Sequence, residues 1–455
     1  MPTSPASNTP EASNQLTSAA VPQLVKQIGM PISIGAFFST MFNVVDTYFA
    51  GLISNDALAA LALSFPLFFI IVAFTVGLQS GVSALIGNAL GAQDKENAER
   101  FAIQGIIFGL FCSIFISVLG VSISAPVFRF LGASGDYLDI AVSYINLIFM
   151  GTILFALVQT LSAVLNSIGK TRPYRNILIV AFLLNIVLDP WFIKGGLGVP
   201  AMGVAGIALA TLLAQAMRAL YLGYHVYQSG IISKDGLYKN LWPQPKIYLQ
   251  IGRQAFPSMI DISMIAIGFF ALTFFISQFG QDAIAAFGAA TRLEQLALLP
   301  AIVLDVATLT LVAQNNGAGL PERVKAIFKT AVLYGLVVLT TGAVLLTVFA
   351  RPLMSLFSND PNVIDIGVTF LRIRAWTLPA APLYFVASAT LRALKRPTAA
   401  LLMNLSRYVI IPIIGILIFV QILGYGLLAI WWISFAALVA VSLFAYFYAR
   451  RIVFN

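Results

Sequence analysis

Two carboxylates stand in stretches that are otherwise apolar. Asp46 lies in Asn43-Val44-Val45-Asp46-Thr47-Tyr48-Phe49, late in the long apolar stretch from Val21 to Gly51, and Asp189 lies in Leu184-Asn185-Ile186-Val187-Leu188-Asp189-Pro190. A carboxylate at membrane depth costs at least ~2.5 kcal/mol on insertion scales, so each marks a functional site by default. Asn185 is one helical turn before Asp189 and shares its face. With the hydroxyl of Thr211 added, the set suits two chemistries. One is a shared proton, because two carboxylates brought together out of water do not both stay ionised. The other is an all-oxygen Na⁺ site. Hydrogen bonding between helices is the purely structural use of the same groups.

The elements that must position these residues are membrane helices. The 455 residues are 60% hydrophobic and 9% charged, with mean hydropathy +0.93, whereas an ordinary soluble domain is about 25% charged. Apolar runs of ~20 to 30 residues indicate helices rather than a barrel. Twelve spans are expected, over 24–50, 57–90, 98–123, 137–166, 175–193, 203–228, 248–278, 282–315, 324–349, 362–392, 398–421 and 425–449. The net charge of +9 forms no basic stripe, which argues against nucleic acid as a partner and for a role in orientation. The lone Cys112 sits in an apolar run and gives neither a disulfide nor a metal pattern, and His225 reads as interfacial. Residues 1–20 read as a disordered polar tail without a basic signal-peptide region.

Loop charge sets the orientation. Loops after the even-numbered spans and the C-terminus hold Lys95, Arg100, Lys170, Arg172, Arg175, Lys234, Lys239, Lys246, Arg323, Lys325, Lys329, Arg392, Lys395, Arg396, Arg450 and Arg451, against Arg129, Lys194 and Arg351 in the alternate loops. Both termini are therefore expected in the cytoplasm. Asp46 and Asp189 each fall about five residues before the outer end of an outward-running span, ~7 to 8 Å inside the boundary. At a shared depth they can meet, and span 6 returns Thr211 to a similar level.

The chain also repeats itself. Pro31 matches Pro257, Gly91-Ala92 matches Gly317-Ala318, Glu96 matches Glu322 and Asp139 matches Asp365, each at an offset of 226 (257 − 31 = 226). The register then shifts by two near Pro173 and Pro397. Six spans per half is even, so the halves relate by an axis along the membrane normal, with substrate handled between them. The expected organisation is an all-α membrane protein of two six-helix lobes, 21–229 and 247–455, joined by a basic cytoplasmic linker over 230–246. Asp46 matches Leu272, Asp261 matches Gly35, Glu294 matches Phe68 and Asp305 matches Gln79, so the lobes share a scaffold but not their polar centres.

The second half holds Asp261, Glu294 and Asp305 with Arg292, Arg372, Arg374 and Arg407 near membrane depth. Mutual neutralisation is the expected arrangement, because unpaired arginine there is costly; a polar wall facing substrate is the alternative. Pro31 and Pro190 are candidate hinges, since proline frees a backbone carbonyl. Among 35 Phe, 15 Tyr and 5 Trp, some rings must line any central cavity, where they can hold lipophilic cations. No phosphate-binding loop, HExxH or Ser-His-Asp arrangement is present. ATP as an energy source and enzymatic chemistry are both disfavoured, and no cofactor beyond a coupling ion is expected.

With these features the chain resembles the multidrug and toxic compound extrusion family over nearly its whole length. The resemblance rests on the two sixes of spans, on Asn43-Val44-Val45-Asp46-Thr47, on Ile86-Gly87-Asn88-Ala89-Leu90-Gly91-Ala92, on Gly169-Lys170-Thr171-Arg172-Pro173, on Asn185-Ile186-Val187-Leu188-Asp189-Pro190 and on Ala290-Thr291-Arg292-Leu293-Glu294. With Arg372 and Arg374 where another branch carries an acid in span 10, it is most similar to the DinF-like branch. The resemblance implies an outward-open V with a central cavity and export of amphiphilic, often cationic drugs driven by H⁺ or Na⁺. It makes Asp46 the protonation-linked residue and Asn185, Asp189 and Thr211 its partners. The chain is expected to act as a monomer in the lipid bilayer. The competing reading is a flippase for an anionic lipid-linked precursor, which Arg292, Arg372 and Arg374 favour.

Overall fold

The computed structural model describes residues 15–131, 133–196 and 198–454. Most of the expected tail therefore lies outside the described residues. Among these residues the structure is helical, apart from one bridge between Gly196 and Val199. The spans, numbered in chain order, are α1 Val21–Ile53, α2 Asn55–Gly91, α3 Lys95–Phe130, α4 the pair Gly135–Met150 and Thr152–Ser167, α5 Arg172–Lys194, α6 Val204–Ser229, α7 Pro245–Ser277, α8 Gln281–Gly317, α9 Pro321–Val348, α10 the run Pro361–Arg374, Ala375–Ala380 and Ala381–Ala393, α11 Pro397–Ile422, and α12 Leu427–Phe454.

Ten of these helices are long and apolar enough to cross a membrane, and α4 makes an eleventh span bent by 43°. The sequence suggested continuous helices at 137–166 and 362–392, and both are interrupted. In α4 the break is at Gly151, and in α10 it is the 3₁₀ segment Ala375–Ala380, which contains Pro379. Glycine weakens a helix interior and proline removes an N–H. The breaks are repeat-related, because Thr377 follows Gly151 by 226 positions. In α11, π-helical stretches at Ser406–Ile410 and Leu417–Ile422 flank the turn that carries Pro412.

The composition of residues 15–20 suggested disorder, yet Gln15–Ser18 form a helix with Leu16 buried in the second-lobe core. Asn315 Nδ2 donates to the Leu16 carbonyl at 3.0 Å, and Arg323 Nη2 to that of Ala19 at 2.7 Å. The linker is docked as well. Gln104 Nε2 donates to the carbonyls of Asn240 (2.6 Å) and Trp242 (2.8 Å), and Gln104 Oε1 accepts from Gln244 N. At the start of α3 Asp94 caps the helix; the bonds it accepts from the Asn97 backbone and side chain hold its carboxyl below the usual carboxylate range.

The first helix of each half packs its N-terminal part on the opposite lobe. Leu24, Val25 and Ile28 of α1 join the core built from α8, α9 and α10, whereas Ile247, Ile251 and Ala255 of α7 join the core built from α2, α3, α4 and α6. Ile251 follows Val25 by 226 positions, so the exchange obeys the repeat. The pseudo-two-fold axis can be located from close contacts. A Cβ on Gly87 would lie 2.8 Å from the Cβ of Ala313, its own repeat mate, and a residue that faces its mate lies on the axis. Beside this point the contacts are reciprocal. A Cβ on Gly91 would strike the Gln314 carbonyl, and one on Gly317 would strike that of Asn88. Asn88 Nδ2 donates to the Ala393 carbonyl at 2.8 Å, and Gln314 correspondingly donates to that of Ser167. These contacts lie at the C-terminal ends of α2 and α8.

Candidate functional site

Asp46 of α1, Asn185 and Asp189 of α5, and Thr211 of α6 are all buried and form one cluster. Asn185 Nδ2 donates to Asp46 Oδ1 and to Asp189 Oδ1, each at 2.9 Å, and Thr211 Oγ1 donates to Asp46 Oδ2 at 3.3 Å. Asn185 thus bridges the two carboxyl groups. Two carboxylates brought this close out of water favour a shared proton or a cation between them. Asn185 Oδ1 and Asp189 Oδ2 have no hydrogen-bond partner among the described residues, and buried acceptors left open are what a bound proton, water or Na⁺ would satisfy. The donor set is therefore compatible with either chemistry.

Local structure sets the alignment. Pro31 and Pro190 lie inside helices that continue past them, so Asp46 and Asp189 sit on unbroken α1 and α5. These helices pack closely, with the rings of Phe38 and Phe182 at 5.4 Å. The turn between α5 and α6 is the variable that spacing leaves open, and hydrogen bonds close it. Met202 N donates to Phe192 O at 3.0 Å, Gly203 N to Ile193 O at 3.3 Å, and Trp191 Nε1 to Gly196 O at 2.9 Å. With the turn tied, α6 enters at the register that brings Thr211 to Asp46.

The second-lobe candidates do not form a corresponding cluster. Glu294 pairs with Arg374 at 2.6 Å, and Asp305 pairs with Arg392. Arg392 is thus a buried partner rather than the loop charge that its position suggested, so the sixteen basic residues counted for those loops become fifteen. Its Nη1 also donates to Ser80 Oγ of the first lobe at 2.9 Å. Asp261 is buried within electrostatic reach of Arg392, Asp305 and Arg407, with Oδ1 unpartnered. Arg407 stacks on Tyr384, its guanidinium 4.2 Å from the ring centroid. Neutralisation within the lobe therefore holds for Glu294 and Asp305. It does not extend to Arg292 and Arg372, which are exposed and lie outside every ion pair among the described residues.

Sequence reasoning missed two residues at the first-lobe cluster. Tyr144 of α4 stands close enough to feel the charge of both carboxylates. Gln215, one turn inward of Thr211, is buried with Oε1 unpartnered. Neither stands out in sequence, since Tyr144 is one tyrosine among fifteen.

The chain is 27% identical over 402 residues, 87% of each protein, to the FAD transporter of Shewanella oneidensis. It is 26% identical over 358 residues to the probable multidrug resistance protein NorM of Thermotoga maritima, covering 78% of this chain and 76% of that one. Among solved structures, a MOP superfamily transporter from Pyrococcus furiosus, described as having a binding pocket of reverse polarity, shares the fold with a TM-score of 0.90. It covers 97% of this chain and 98% of its own at 23% identity. The MatE family profile matches residues 31–191 and 257–418, one segment in each lobe. With that match spanning more than two thirds of its length, and with the two lobes and their pseudo-two-fold axis in place, the chain belongs to the MatE family of multidrug and toxic compound extrusion transporters.

Proposed function

We propose that the protein is a secondary active exporter. It carries amphiphilic small molecules, cationic drugs among them, out of the cytoplasm by alternating access in exchange for H⁺ or Na⁺. The observation that carries this reading is the meeting of Asp46 and Asp189 through Asn185, out of contact with solvent. An ion drives a conformational change only if it binds the two conformations unequally. Asp46 is suited to that requirement because α1, which carries it, also packs its inner half on the second lobe. With a proton or Na⁺ in the cluster, Asp46 and Asp189 are held together. Without it they repel, and α1 transmits the change to the partner lobe, with bending near Pro31 as the expected form. No cofactor beyond the coupling ion takes part. The working unit is a monomer in the bacterial inner membrane with both termini cytoplasmic, and the lone first-lobe acid pair with Arg372 and Arg374 in α10 supports the DinF-like branch.

A second reading, a flippase for an anionic lipid-linked precursor, is favoured by the exposed Arg292 and Arg372. The Shewanella relative, a transporter of the phosphate-bearing FAD, supports an anionic solute as an additional class of cargo. Inside-out vesicles distinguish these readings. Dye accumulation driven by an H⁺ or Na⁺ gradient, imposed separately, and lost in Asp46→Asn is the expected result. Gradient-independent lipid translocation with no dye accumulation would replace the exporter with the flippase.

A further inference from the structure

Most exposed faces of the spans are bulky and apolar, as lipid requires. On α9 the exposed large residues are Leu333, Val337, Val338, Val344, Leu345 and Val348. The exposed face of α8 differs. It exposes Leu296 and Ile302, but its outer half also exposes Ala285, Arg292 and Gln295, with half-exposed Gly288 and Ala289 between them. Arg292 lies eleven residues inside the outer start of α8 at Gln281, about 16 Å along the helix. The two acids in the body of α8 are committed elsewhere, Glu294 to Arg374 and Asp305 to Arg392, and Asp282 stands ten residues away in the first turn. A guanidinium at that depth, exposed and outside the lobe's ion pairs, faces a water-filled space rather than hydrocarbon.

The opposite wall of that space can be identified. A Cβ on Gly29 of α1 would lie 3.2 Å from Val303 of α8, which fixes the register of these antiparallel spans. Moving outward eleven residues along each helix from that contact brings Arg292 level with Thr40. The same stretch of α1 exposes Phe37, Asn43 and Tyr48, and its only acid, Asp46, is turned into the first lobe. At this level α8 offers a cation and an amide, and α1 offers hydroxyls, an amide and rings beside Val44. The repeat mate of Arg292 is Pro66, so this charge was added to one lobe only, as Asp46 was to the other.

We propose that Arg292 is the anion anchor of the transport cleft, so that the exported amphiphiles include molecules bearing a carboxylate or phosphate beside a flat aromatic system. Guanidinium presents paired N–H donors to such groups. The proposal rests on the exporter reading above. The test uses the full-length protein in proteoliposomes with an imposed ion gradient and two probes, carboxyfluorescein as the anion and ethidium as the cation, in wild type, Arg292→Gln and Arg292→Lys. Wild type is expected to move both. Arg292→Gln is expected to lose carboxyfluorescein transport by about tenfold or more while keeping ethidium transport, which also reports a folded protein. Arg292→Lys is expected to restore part of the loss. Unchanged carboxyfluorescein transport in the Gln variant, or equal loss of both probes, overturns the anchor. A wild type that moves ethidium alone overturns it while leaving the exporter standing. A wild type that moves neither probe under either gradient overturns the exporter reading itself.

Discussion

Replacing Asp46 by Asn keeps the size of the side chain and leaves an oxygen to accept from Asn185 and an NH₂ to donate to the Thr211 hydroxyl, but removes the group that exchanges an ion. We expect Asp46→Asn to abolish drug export with near-normal expression, because losing a buried charge relieves an insertion cost. Asp189→Asn should also impair export, whereas Asp139→Asn, on the exposed start of α4, should be nearly silent. Growth in drug together with immunoblotting of membranes checks all three, and wild-type resistance in the Asp46 variant would refute the assignment. These positions were legible because a lone acid in an apolar run is conspicuous, and counting residues from the span ends gives its depth. Pairings between distant residues were not legible. Asp305 and Arg392 lie on different helices, and Arg392 sits so close to Lys395 and Arg396 that it reads as loop charge. Their repeat mates are Gln79 and Asn166, so one lobe holds an ion pair where the other holds amides. Arg392→Asn alone strands Asp305, a loss of about 3 to 5 kcal/mol. Adding Asp305→Gln, which reproduces the first-lobe residues, should recover most of it. Thermal unfolding in detergent measures both, and a double variant no more stable than the single would show that the ion pair does more than fill the site.

At the level of helices, the spans were legible as apolar runs and their internal breaks were not. Hydropathy averages over a window and is blind to the backbone, so the bend at Gly151 and the 3₁₀ segment containing Pro379 pass unnoticed, as does the anchoring helix Gln15–Ser18 with its single buried Leu16. Close approach leaves a clearer trace, as glycine at Gly87, Gly91 and Gly317. Because the obstructing atoms at Gly91 and Gly317 are backbone carbonyls, which cannot swing aside, Gly91→Ala and Gly317→Ala should each lower the yield of folded protein and export. Gly252 of α7 has nothing within 4 Å of its added Cβ, so Gly252→Ala should be neutral or stabilising by roughly 0.5 to 1 kcal/mol. Size-exclusion profiles and melting temperatures compare the three, and equal behaviour would mean that the tight contact is not what requires glycine.

At the level of the whole molecule, two lobes and a pseudo-two-fold axis follow from a fixed offset of 226, but only the structure shows that α1 and α7 each reach into the other lobe's core. If Asp46 governs the arrangement, spin labels at the outer ends of α1 and α7 should report a distance that differs between acidic and alkaline buffer in wild type and not in Asp46→Asn. A pH-dependent distance that persists in the variant would remove Asp46 as the switch. The choice of label sites follows from Gly87 and Ala313, which meet on the axis. While they stay in contact they act as a fulcrum, and each span is a lever. The outer end of α2 at Asn55 is 32 residues from Gly87, about 48 Å, so a tilt of ~10° that barely shifts the glycine carries that end ~8 Å. The mechanical advantage runs outward: sub-ångström packing at the fulcrum governs an opening wide enough for a drug, and a probe placed beside it would record almost nothing.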